Sequence, residues 1–354
     1  MKDLVVITHT EYHLLTALSI LSERYTDYAE ISLFICVPSG SNRYQFSFPD
    51  QIEHNIFIKR VYINGESDAN DTNLDLIEDK IFNSRNTLDE VIFFNRLNFF
   101  AQYLIRKLYK SKIRVSLGPD GAAAYGSSNR ISPRWTFMQF LKYNKFVFKN
   151  KKNNYGFYFP TLDYANQKEI ERVYVQFPDL VNLPVDKEIV KYNLLANAIS
   201  VRWSNLFFNF QIQDFLETNS NIFLFCNQPL EMLDNWNEKM LNFVHHYLPN
   251  FQIVVKTHPT TSASQLHYFN SVDYIKTIDS TLPIELFVAN IEDSIVASFW
   301  STASLFDTKK NICIWMYPLL EKYNAMYKYV KFEKKVPHIK YVDDLNQLLS
   351  FNKL

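Results

Sequence analysis

Residues 3–25 read DLVVITHTEYHLLTALSILSERY. DLVVIT (3–8) is a short continuous apolar run, the pattern of a strand buried on both faces. EYHLLTALSILSERY (11–25) repeats its apolar residues at helical spacing. A strand running straight into an amphipathic helix opens a βαβ unit, and the rhythm continues outward from it. Strands are predicted at ISLFICV (31–37) and NIFIKRVYI (55–63), a helix at LDLIEDKIFNSR (74–85) and a strand at DEVIFF (89–94). A helix over 96–110 and a strand at KIRVSLG (112–118) follow. Apolar strands alternating with helices predict a parallel sheet covered on both faces.

The middle of the chain is less regular. PRWTFMQFLKYNKFVFKNKK (133–152) predicts a helix with aromatic and basic residues interleaved. Residues 153–185 read as loops around one strand, ERVYVQF (171–177), and 186–217 as one or two helices joining the halves. A second βα series begins at NIFLFC (221–226), with a helix at EMLDNWNEKMLNFVHHYL (231–248). Strands follow at FQIVVK (251–256), DSIVAS (293–298) and NICIWM (311–316). STASLFDT (301–308) opens as a short helix. VDDLNQLLSF (342–351) closes the chain as a helix with acidic residues in its first turn, where the helix dipole favours them. A chain of 354 residues exceeds what one hydrophobic core usually serves. The expectation is an α/β protein of two Rossmann-like doubly wound domains, 1–200 and 201–354, facing a cleft, because ligands bind outside the carboxyl ends of such strands.

Composition narrows the function classes. Hydrophobic residues make up 47% of the chain and charged residues 21%, enough for two cores and against disorder. Lys plus Arg and Asp plus Glu both number 37, so no basic field exists to hold a nucleic-acid partner. Cys36, Cys226 and Cys313 lie far apart in apolar runs, without metal-ligand or redox spacing, and read as buried thiols of a reducing compartment. The start MKDLVVITHTEYHLL has too short an apolar core for a signal peptide, and no stretch has the length of a membrane span. A cytoplasmic protein is expected.

Six glycines are present, none beyond Gly156, and Gly118, Gly121 and Gly126 fall within nine residues. Neither a G-x-G-x-x-G nor a G-x-x-x-x-G-K-[ST] occurs. A phosphate in the second half would therefore be held by hydroxyls and amides at a helix start. Ser301 and Thr302, straight after strand 293–298, suit that task, and equally suit an ordinary helix cap. KTHP (256–259) sets His258 at a strand's carboxyl end, with Pro259 biasing it toward extended backbone. An imidazolium there can give a proton to a departing phosphate, or the residue is structural. His245 and His246, adjacent in a helix, diverge and read as structural. In GPDGAAAYG (118–126), Asp120 between Gly118 and Gly121 presents a carboxylate at a strand end. It is either a general base for an acceptor hydroxyl or a turn aspartate bonded to its own backbone. PIE (283–285) places Glu285 early in a helix, suited to ribose hydroxyls or simply to the helix N-terminus.

The order of these motifs resembles the bacterial sialyltransferases and related polysialyltransferases. Those carry an acidic-acidic-Gly motif in the first domain, then His-Pro and Ser-Ser/Thr motifs in the second. Here they fall on Pro119-Asp120-Gly121, His258-Pro259 and Ser301-Thr302. THTEYHLLTA (8–17), NQPLEM (227–232) and PIE (283–285) are similar to the lipooligosaccharide sialyltransferase branch. Pro119 departs from the pattern by replacing the first acidic residue, which leaves Asp120 to serve alone. The resemblance implies an inverting, metal-independent transferase of the two-domain GT-B type that uses CMP-sialic acid as donor substrate and no cofactor. It implies Asp120 and His258 as catalytic residues. Gln228, Lys256, Pro259, Glu285, Ser301 and Thr302 fall to the donor, and Thr10, Tyr12 and Gly121 to the acceptor side. The implied acceptor is a bacterial surface glycan (lipooligosaccharide, O-antigen or capsule), lipid-linked in many cases. Peripheral membrane contact through 133–152 and a homodimer are further expectations.

Two readings compete. One keeps the fold and changes the donor to a CMP-Kdo, CMP-pseudaminate or other nucleotide sugar. The other is a non-catalytic glycan- or nucleotide-binding protein on the same fold, favoured by the missing first acid.

Overall fold

The computed structural model describes residues 2–38, 48–63, 72–83, 86–95, 99–121, 125, 133–149, 166–181, 186–218, 220–228, 234–258, 261–278, 282–306, 310–323 and 335–352. The chain divides into two compact units, Met1–Asn209 and Phe210–Leu354. The junction expected at 200/201 falls inside helix α5 (Ala198–Phe208), which packs on α1 (Glu11–Ser22) of the first unit. Asn197 opens α5 with a capping box, and Asn209 ends it in the left-handed region at φ 43°.

Among the described residues, unit 1 is built on one eight-stranded sheet. Its strands are β1 (Lys2–Thr8), β2 (Tyr28–Pro38), β3 (Gln51–Glu53), β4 (Ile56–Ile63), β5 (Leu88–Phe93), β6 (Arg114–Leu117), β7 (Arg172–Val175) and β8 (Glu188–Lys191). They lie in the order β3-β4-β2-β1-β5-β6-β7-β8, and all pairs are parallel except β3 with β4. Helices α2 (Thr72–Asn83), α3 (Phe99–Lys110) and α4 (Pro133–Lys149) complete the unit with α1 and α5. Leu4 to Thr8 are all buried, as a central parallel strand requires. The chain order reverses between β1 and β5, which creates a switch point at their carboxyl ends.

The middle of this sheet carries a buried ionic network. Glu90 on β5 is 0% exposed and accepts hydrogen bonds from Tyr28 at 2.8 Å, Ser116 at 2.5 Å, Tyr174 at 2.9 Å and Arg172 at 2.7 Å. These four donors come from three strands, β2, β6 and β7, and answer both carboxyl oxygens, as a buried polar group requires.

Among the described residues, unit 2 has six parallel strands: β9 (Ile222–Cys226), β10 (Gln252–Lys256), β11 (Ile275–Ile278), β12 (Ile295–Ser298), β13 (Ile312–Trp315) and β14 (Ile339–Tyr341). Their order, β11-β10-β9-β12-β13-β14, is the doubly wound order with its reversal between β9 and β12. Helices α6 (Asp234–Tyr247), α7 (Ala263–Ser271), α8 (Ile284–Asn290) and α9 (Tyr317–Tyr323) belong to it. Phe223, Phe225, Met240, Leu241, Val244 and Phe269 anchor one continuous core between the sheet and its helices. Cys36, Cys226 and Cys313 are free and buried.

Several elements depart from the sequence reading. Within 186–217, expected to be helical, Glu188–Lys191 is an edge strand. Its residues are mostly exposed, so it carries no apolar run that could announce it. β11, β14, α7 and α9 are short and likewise lacked a signal. The closing segment is a 3₁₀ helix, Leu345–Phe351, capped by Asp344, whose side chain accepts from Asn346 N. Leu345, Leu348 and Phe351 meet the core at a spacing of three, which suits three residues per turn better than 3.6. In α4, Tyr143 and Phe146 face the core of unit 1, while Phe137, Met138, Leu141 and Phe148 face outward. Residues 150–152 of the expected basic-aromatic helix, and 229–233 between β9 and α6, lie outside the described residues.

Candidate active site

In unit 1, parallel register brings three strand ends to one edge: Ile7 pairs with Phe93, and Phe93 with Leu117. The segments that follow, His9–Thr10, Phe94 and Gly118–Asp120, therefore emerge side by side. Thr10 caps α1, its hydroxyl accepting from His13 N at 3.2 Å. That cap turns the first helical turn inward and places His13, 2% exposed, beneath the loop after β6. His13 Nε2 lies 3.0 Å from Asp120 Oδ1, and the Asp120 side chain is 56% exposed. His13 Nδ1 is buried with no hydrogen-bond partner among the described residues. A proton on Nε2 therefore meets the carboxylate and leaves Nδ1 as an acceptor, whereas the other tautomer buries an unanswered N–H. His13 donates and Asp120 accepts.

Glycines set this geometry. A Cβ at Gly118 would come within 2.3 Å of Phe94 Cε1. The same Phe94 ring stacks on His13, with centroids 5.4 Å apart. Gly121 adopts φ 71°, a left-handed turn that a side chain would strain. Farther along the motif, Tyr125 is buried and its hydroxyl accepts from Gln176 N at 2.9 Å, tying the segment to the end of β7. Tyr12 is half-buried, its ring 6.3 Å from that of His13. His9, 6.5 Å from the His13 ring, is pushed down to about 3, chiefly by burial and then by His13. Its imidazole is neutral at physiological pH.

In unit 2 the ends of β9, β10 and β12 are in register, with Cys226 opposite Lys256 and Phe225 opposite Ala297. Just beyond β10, His258 is exposed, and its backbone is held by Thr261: His258 N donates to Thr261 Oγ1 at 2.9 Å, and Thr261 Oγ1 donates to His258 O at 2.8 Å. Pro259 lies outside the described residues. Beyond β12, Ser301 N donates to Ser298 Oγ at 2.8 Å, and Trp315 Nε1 donates to Ser301 O at 3.2 Å. Ser301 caps a single 3₁₀ turn, Thr302–Leu305, accepting from Ala303 N at 3.3 Å. Both Ser301 and Thr302 are half-buried, and the cap leaves the Ser301 proton available to a ligand. Gln228, expected to face a donor, accepts from Trp300 N at 3.0 Å through its Oε1.

Lys256 is buried, its Nζ donating to Thr257 O at 3.2 Å. Glu285, in the first turn of α8, is 2% exposed, and burial pushes its carboxyl up to about 7 against the opposing pull of Lys256. The same burial, with Glu285 nearby, pushes the Cys226 thiol up. Burial thus favours the protonated form of Glu285. No group of three or more His, Cys, Asp or Glu residues among the described residues could hold a metal ion.

His13 was missing from the residues the sequence singled out. The available signal was a histidine three residues beyond a threonine cap at the end of the first strand. Asn227, at the end of β9, was also missing.

A parallel doubly wound sheet in each of two units, with polar side chains gathered at carboxyl strand ends, is the architecture of GT-B glycosyltransferases. The GT-B domain of a sialyltransferase from Photobacterium damselae matches with a TM-score of 0.52 at 13% identity, over 89% of this chain and 91% of that one. A glycosyltransferase of kitacinnamycin matches with a TM-score of 0.49 at 9% identity, over 99% and 89%. HepE of Anabaena, solved with UDP and glucose, matches with 0.46 at 8%, again over 99% and 89%. No curated protein matches the sequence. The family model for alpha-2,8-polysialyltransferase (POLYST) matches residues 37–310, and the chain belongs to that family. It is a glycosyltransferase of the sialyltransferase type.

Proposed function

We propose that this enzyme transfers sialic acid from CMP-sialic acid to a hydroxyl of a bacterial surface glycan, with inversion and without a metal. The observation that carries the reading is the exposed Asp120 carboxylate held by a buried His13 at 3.0 Å, at the sheet edge where a ligand of unit 1 would bind. In this scheme Asp120 takes the proton of the acceptor hydroxyl as its oxygen bonds to the anomeric carbon. The bond from that carbon to the phosphate oxygen breaks, and His258 supplies a proton to the departing CMP phosphate. Hydroxyls and backbone N–H groups of Ser301 and Thr302 meet the phosphate charge, where fixed donors help most. Glu285, expected to bind the ribose, is 2% exposed and takes no part in this scheme.

Pro119 replaces an acidic residue, but the dyad supports a base at Asp120 without it. CMP should raise the melting temperature more than UDP or GDP at equal concentration. Equal or greater stabilisation by UDP would sink the CMP assignment in favour of another nucleotide sugar. Asp120→Asn should lower kcat by about 10²-fold or more; near wild-type turnover would place the base elsewhere.

Docking at an anionic membrane through α4 is part of the same reading. Phe137 and Phe148 are 59% and 88% exposed, with Lys142 and Lys145 exposed beside them. No helix among the described residues is long and apolar enough to cross a membrane.

A further inference from the structure

β9 is the central strand at the switch point of unit 2, with β10 on one side and β12 on the other. Its chain continues past Cys226 into two adjacent amides, Asn227 and Gln228. Asn227 is 5% exposed, and its Nδ2 donates to Thr261 Oγ1 at 3.1 Å and to Gln265 Oε1 at 3.0 Å. Its Oδ1 accepts from Asn237 Nδ2 of α6 at 3.2 Å. Thr261 Oγ1 in turn brackets His258, accepting from its N–H and donating to its carbonyl. Gln228 reaches the opposite neighbour, its Oε1 accepting from Trp300 N immediately before Ser301.

We infer that Asn227 and Gln228 form a two-way clamp, Asn227 fixing the His258 turn and Gln228 fixing the Ser301 loop, so that proton donor and phosphate hydroxyls keep one spacing. Both Nδ2 protons and the Oδ1 of Asn227 have partners, and an aliphatic replacement would leave Thr261, Gln265 and Asn237 with unanswered groups. A hydrogen-bond chain running from α6 through β9 to the His258 backbone has little slack. Asn227 touches none of the atoms assigned to chemistry; it is a positioning residue. The alternative, a purely structural amide cluster, predicts loss of stability without selective loss of turnover.

The functional half of this inference rests on the proposed roles of His258 and Ser301, so the test has an arm independent of them. Hydrogen exchange over residues 257–265 should quicken in Asn227→Ala and in Thr261→Val, and stay at the wild-type rate in Thr261→Ser, which keeps the hydroxyl. In turnover of CMP-sialic acid, Asn227→Ala and Thr261→Val should lower kcat by about 10²-fold, the scale of an ångström-sized misplacement. Their CMP Kd should stay within about threefold. Gln228→Ala should show the reverse, with CMP binding weakened about tenfold, the loss of one backbone anchor. The double variant Asn227→Ala/Thr261→Val should be no worse than the poorer single one. Unchanged exchange over 257–265 in Thr261→Val and Asn227→Ala overturns the clamp, as does a parallel fall of kcat and CMP affinity that tracks melting temperature. If His258→Ala turns over at the wild-type rate, the proposed role of His258 fails, and the exchange arm still decides the clamp. Should Asn227→Ala fail to fold, the Thr261 pair carries the decision alone.

Discussion

Glu285 offers a sharp quantitative test because its ionisation is tied to the fold of unit 2. Its carboxyl is raised from its ordinary 4.5 to about 7, first by burial, with Lys256 pulling the other way. The native state therefore holds a proton that the unfolded chain gives up between those values, and native stability falls as pH rises. Below pH 4.5 the full contribution is present; above 7 it is gone. At about 1.4 kcal/mol per pH unit the total is about 3 kcal/mol, of which some 2–3 kcal/mol falls between pH 5 and pH 8. Glu285→Gln removes the ionisable group at nearly constant volume and keeps hydrogen-bonding capacity. Urea unfolding followed at pH 5 and pH 8 isolates the effect, because every other titrating group is common to both proteins. The variant should gain about 2–3 kcal/mol on the wild type over that interval. A difference that does not change with pH, or one that favours the wild type at pH 8, refutes the account: Glu285 would then be charged and paired in the native state.

Three further outcomes are expected. His13→Leu should lower kcat about 10- to 10²-fold by removing the hydrogen bond to Asp120, whereas His13→Gln, which restores an N–H donor, should recover part of the loss; steady-state kinetics of folded variants decides, and equal kcat for the two would mean that His13 only fills space. Gly118→Ala forces a methyl to within 2.3 Å of Phe94, so it should destabilise unit 1 by about 1–3 kcal/mol and lower turnover through the Phe94–His13 stack; a variant as stable and active as the parent shows that the ring moves freely. Phe148→Ser with Phe137→Ser should abolish salt-sensitive flotation with anionic vesicles while leaving turnover of a soluble acceptor intact; flotation equal to the parent's removes α4 from membrane docking.

What the sequence determined by itself was local. DLVVIT and FQIVVK are continuous apolar runs, and such runs have one good solution in a covered parallel sheet, so the βα alternation and the placement of Asp120, His258 and Ser301 at strand ends were legible. Edge strand β8 was not, because a half-exposed edge carries no apolar pattern, and the 3₁₀ close of the chain was not, because a spacing of three over seven residues also fits a helix. Only the tertiary structure could pair His13 with Asp120 across 107 positions, or Gln228 with Trp300 across 72. The reason is geometric: parallel register decides which strand ends become neighbours, and register is fixed by the packing of whole sheets rather than by any residue's own propensity. The same packing decided the state of single side chains. Thr10 was recognisable near a helix start, but that its cap would bury His13 under the base depended on the sheet beneath it. Glu285 read as an acid early in a helix, suited to ribose hydroxyls or to the helix N-terminus, and it became a buried carboxyl with a raised pKa because α8 turns that residue inward in unit 2, where water is excluded and charge is costly.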